Sequence, residues 1–120
     1  MNPRRVHDLM RSRFPAFNAV EHEWVNMHDG KAPRIGELSE LLERIIDAQE
    51  VLVEVHRKLG ALLPIREAVA FIASHIGEGQ IRVADRAFTC FVIVALNGVA
   101  TGWRMTDNPS SKSGPLTASA

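Results

Sequence analysis

Apolar residues in the middle of the chain recur at helical spacing. Leu38, Leu41, Leu42, Ile45, Leu52 and Leu59 share one face of a 3.6-residue repeat. Glu40, Glu43, Asp47, Glu50 and Glu54 fall on the opposite face. The spacing predicts a long amphipathic helix over 35–59, about 37 Å at 1.5 Å per residue. Ala32-Pro33 suits its start and Gly60 its end, with Arg57 and Lys58 placed well for the helix dipole. A second helix is predicted over 63–76. Pro64 lies near its first turn, Ile65, Ala68, Val69, Ile72 and Ile76 form its apolar face, and Gly77 and Gly79 end it. Two such helices joined near Gly60 make an antiparallel hairpin. Ahead of them, residues 3–13 read as a short basic helix, and 14–33 as irregular or short-helical.

The segment 80–105 reads in two ways. As a helix, it places Ile81, Ala84, Phe88, Phe91, Ala95 and Val99 on one face, with Arg82, Asp85, Arg86 and Thr89 facing away. As strands, its run of β-branched and aromatic residues turns at Asn97-Gly98 in a type I′ hairpin. The helix is the favoured reading. The expected fold class is therefore all-α, a small helical hairpin or bundle built on a long amphipathic helix. The alternative is α+β, helices plus a C-terminal β-hairpin. Either way the expected organisation is one domain over 1–105, with a basic arm and irregular segment over 1–33. The Pro- and Ser-rich tail over 106–120 is expected to be disordered.

Composition narrows the partners more than it names them. The 120 residues are 46% hydrophobic, enough for one modest core. Fourteen basic residues balance fourteen acidic ones, so no net field draws the chain to nucleic acid or anionic lipid. Such a chain is also less protected against association. The lone cysteine, Cys90, lies in an apolar run and reads as a buried structural thiol. Residues 1–15 carry no apolar leader segment, and a cytoplasmic location is expected.

Candidate chemistry is sparse. No phosphate loop, nucleophile elbow or paired-carboxylate arrangement is present, so no enzyme is expected. The acidic stripe over 40–54 lies opposite the apolar face and lacks the Glu-x-x-His spacing of bundle metal sites. The run from Glu21 to Asp29 is rich in ligand-type residues, but its spacing fits no zinc pattern. No metal and no cofactor are expected. His56 reads as a core histidine.

Three functional readings follow. The leading one is a small non-enzymatic protein that binds other proteins, associates with itself and acts as an accessory regulator or inhibitor. Its contact residues would be the basic end (Arg4, Arg5, Arg11 and Arg13), the segment containing His22, Trp24, Met27 and His28, and the stripe of Glu40, Glu43, Asp47 and Glu50. Basic end and acidic stripe would pair between copies. The second is a DNA-binding regulator with a degenerate helix-turn-helix over 69–86, using Gln80, Arg82 and Arg86. The third is a membrane-anchored chain, since residues 87–103 carry no charge, though that run is shorter than the roughly 20 residues a span needs.

Overall fold

Valines at 51, 53 and 55 alternate, and this two-residue period decides the middle of the chain. The computed structural model describes residues 1–16 and 22–105. In order these form α1 (Pro3–Arg13), β1 (Val25–Asn26), α2 (Ile35–Ile45), β2 (Glu50–His56), β3 (Leu59–Pro64), α3 (Ile65–His75), β4 (Ile81–Asp85), β5 (Cys90–Val94) and β6 (Val99–Arg104). The strands make one antiparallel sheet of order β1-β6-β5-β4-β2-β3. The fold is α+β, which overturns the all-α, helical-bundle expectation.

The long helix stops at Ile45, and the remainder of its expected span is a short connection, β2 and the turn that leads into β3. Leu52 and Leu59 matched a helical face by coincidence of spacing. The β-branched residues between them prefer the pleated conformation. Arg104 of β6 closes the end of α2, its guanidinium donating to the carbonyls of Arg44 (2.9 Å) and Ile45 (2.8 Å). A cation there also suits the helix dipole.

Helices cover both faces of the sheet, and this explains the misread C-terminal segment. Val51, Val53, Val55, Ile81, Val83, Cys90, Val92 and Val94 face α2 and α3, packing on Leu38, Leu42, Ala68 and Ile72. Leu52, Ala84 and Phe91 face the other way, against Val6 and Met10 of α1. A strand buried on both faces loses its polar alternation, so a run such as 90–94 is indistinguishable by period from a buried helix. Residues 90–104 thus form the hairpin of the alternative reading, but with a different turn. The Gly98 N–H donates to the Ala95 carbonyl at 2.9 Å, and positive φ falls on Gly98 (89°), not on Asn97. That is the pattern of a type I turn followed by a left-handed glycine, where I′ would need positive φ at both central residues.

The helix-turn-helix spacing fails for the same reason. After α3 the chain enters β4, so 69–86 holds one helix and one strand. Among the described residues no helix is long and apolar enough to cross a membrane. The expected disorder of 106–120 lies outside the described residues.

Candidate functional site

The most deeply buried charge lies beneath α1. Glu54 shares its face of β2 with Leu52, and Arg82 is its direct cross-strand neighbour on β4. The Arg82 guanidinium forks onto Glu54 Oε1, with Nε at 3.1 Å and a terminal nitrogen closer. His7 of α1 reaches the other oxygen, Oε2, through Nδ1. Glu54 is only 3% exposed, so its charge requires both partners. The Arg82 guanidinium also lies 5.5 Å over the Phe14 ring, and Phe14 packs edge-on against Phe91 at 5.2 Å. With both carboxylate oxygens held from within the chain, this cluster is built as a clasp joining α1 to the sheet.

Close approach of α1 depends on the β2–β3 hairpin. A Cβ at Gly60 would fall 2.9 Å from the Val53 carbonyl oxygen and 3.1 Å from Val6 Cγ1. At the far end of α1, Arg13 lies 4.8 Å over the Phe88 ring. Phe88 holds φ at +57° in the β4–β5 turn, a conformation that costs a non-glycine residue energy. Asp85, the second buried carboxylate, fixes that turn. It accepts from Thr89 N–H (2.7 Å), Cys90 N–H (2.9 Å) and the Thr89 hydroxyl (2.6 Å).

Outside the core, charge is sorted by helix. On α1, Arg4, Arg5, Arg11 and Arg13 are exposed, with Asp8 the only acidic residue among them. On α2, Glu37, Glu40 and Glu43 are exposed, followed by Asp47 just beyond the helix, against Arg34 and Arg44. Glu37 has Arg34 at 3.8 Å. Among the described residues, Arg4, Arg5, Arg11, Glu40 and Asp47 form no ion pair.

The sequence-picked residues therefore divide. Glu40, Glu43 and Asp47 remain together at the surface on and after α2. Glu50 moves to β2, 3.9 Å from Arg86, and Glu54 is buried on the other side of the sheet. Arg82 serves the clasp, and Gln80 is exposed ahead of β4. His56, expected in the core, is exposed at the β2–β3 turn, where its Nδ1 accepts from Lys58 N–H at 3.2 Å. Cys90 is buried, as its apolar context predicted.

Met27 is 1% exposed and belongs to the core. Its neighbours His28 and Asp29 line an open cleft of about 520 Å³ with Asn26, Arg34, Ile76, Leu96 and Asn97. The Asp29 carboxylate accepts from Ala32 N–H (2.8 Å) and Lys31 N–H (2.9 Å), and these bonds hold its pKa below the usual carboxylate value. His22 packs at a tilt against Trp103, ring centroids 4.7 Å apart, and Trp24 is half-buried beside β1.

Sequence reasoning missed His7 and the Glu54–Arg82 pair. The signal was present: a strand period across 50–56 puts Glu54 on the face of Leu52, which calls for a buried cation opposite. Compared with known proteins, the chain matches no family model, no curated protein and no solved structure.

Proposed function

We propose that this chain is a non-enzymatic interaction domain that associates with itself and serves as an accessory regulator or inhibitor of protein assemblies. The observation that carries the reading is the sorting of exposed charge, arginine on α1 and carboxylate on α2, in a chain of zero net charge. Charges of one sign collected on one helix stabilise the fold little, since exposed pairs are weak and like charges repel. The same arrangement complements a second copy. This keeps the sequence-level idea of a basic end pairing with an acidic stripe, but shortens the stripe to α2 and Asp47.

Light scattering across a salt series tests it. The Debye length falls from about 30 Å at 0.01 M to about 3 Å at 1 M. The expected result is a mass above the monomer at low salt that returns to the monomer at high salt. A monomer at every concentration and salt contradicts the reading.

A further inference from the structure

The two charged helices lie on opposite faces of the sheet and over opposite halves of it. α1 packs on β2 and β3, and α2 packs on β5 and β6 from the other side. We infer that copies of this chain stack head to tail, the outer face of α1 on one copy docking on the outer face of α2 on the next, so that assembly is open-ended. This rests on the self-association reading and adds its geometry.

The occupant is a second copy because the two faces complement each other in charge and in length. Arg4 and Arg11 are seven residues apart, about 10 Å along α1 at 1.5 Å per residue. Glu37 and Glu43 are six residues apart on α2, about 9 Å. Arg5 and Glu40 fall between them. Each helix presents its charges outward because its apolar side is already occupied, α1 by Val6 and Met10, α2 by Leu38, Leu41, Leu42 and Ile45.

Symmetry then follows from placement. A closed two-fold pair uses one self-complementary patch. Here each patch is dominated by one sign, so α1 facing α1 sets mostly arginine against arginine and α2 facing α2, despite Arg34 and Arg44, mostly carboxylate against carboxylate. A partner seated on α1 also leaves α2 of the same copy free, on the far side of the sheet. Each copy has one basic and one acidic docking face, and such contacts propagate. Asp8 is the exception within the basic face, a like charge for the incoming carboxylates.

A charge-swap experiment on the full chain tests the arrangement. One variant carries Arg4→Glu and Arg5→Glu, acidic residues at a helix N-terminus, which the dipole tolerates. The other carries Glu40→Lys and Glu43→Lys, toward the C-terminal half of α2, tolerated for the same reason. Each alone is expected to stay monomeric at low salt, with an unchanged circular dichroism spectrum. An equimolar mixture is expected to associate and to grow past one-to-one pairs, because acidic α1 now meets basic α2. Asp8→Asn, which keeps the native arginines, is expected to raise the low-salt mass at a given concentration.

If the unmodified protein forms a dimer that does not grow with concentration, head-to-tail stacking is wrong while self-association stands. A folded mixture that stays monomeric, or an Asp8→Asn variant that associates less, also overturns the stacking. A monomeric unmodified protein overturns both readings.

Discussion

The two faces of the sheet are held by different means. On the α2 and α3 side the contact is apolar except where Arg104 closes the end of α2, and Leu38, Leu42, Ala68 and Ile72 show no exposed surface. On the α1 side only Val6 and Met10 of the helix are fully buried, and the contact adds a buried carboxylate, a guanidinium, an imidazole and a group of aromatic rings. The difference shows what a strongly basic helix needs. Four exposed arginines leave α1 a narrow apolar stripe, and His7 reaching Glu54 fixes where it docks. Close packing resists loss of volume, whereas the ionic clasp resists loss of a partner.

The largest expected effect breaks the clasp. Arg82→Met leaves Glu54 buried with His7 as its only partner and should destabilise the fold by about 3–5 kcal/mol, measured by denaturant unfolding. The double variant Glu54→Leu/Arg82→Met removes both charges and should recover most of that loss. A double variant as unstable as Arg82→Met alone would show that the charges themselves are required. The apolar face answers differently. Leu42→Ala should cost about 2–5 kcal/mol through the cavity it leaves, and Leu42→Met should cost under about 1.5 kcal/mol because volume is kept. Equal losses for the two would mean that this side does not depend on packing.

The smallest effect sharpens the contrast at the surface, where a carboxylate is held only by backbone N–H groups. Bonds from Ala32 and Lys31 depress the folded pKa of Asp29. Its contribution is therefore present above the usual carboxylate value and lost as pH falls through the depressed one. Hydrogen exchange at the Lys31 and Ala32 amides should accelerate, relative to neighbouring loop amides, as the solution is acidified through that range. In Asp29→Ala this extra acceleration should be absent.

How much of this was legible depended on whether a segment meets water on one side. The helix Pro3–Arg13 was read at its observed bounds, because its arginines and its Val6 and Met10 keep a clean helical contrast. The helix expected over 63–76 appears at Ile65–His75. Segments buried on both faces were misread. In 50–56 the charged ends resembled a helix face, and in 90–94 no polar residue marked the strand period. The buried ionic pair was hidden by the same error, since Glu54 looked solvent-facing on a helix that does not form. The basic residues of α1 and the acidic ones of α2 were legible individually. Their placement on opposite faces was not, because it follows from sheet order, which local patterns do not encode.

The most direct test of self-association through sorted charge is the weight-average mass of the unmodified protein against concentration, at low and at high ionic strength. The account predicts a mass that climbs past the dimer at low salt and collapses to the monomer when salt is added. A mass that stays monomeric in both, or an oligomer indifferent to salt, would contradict it.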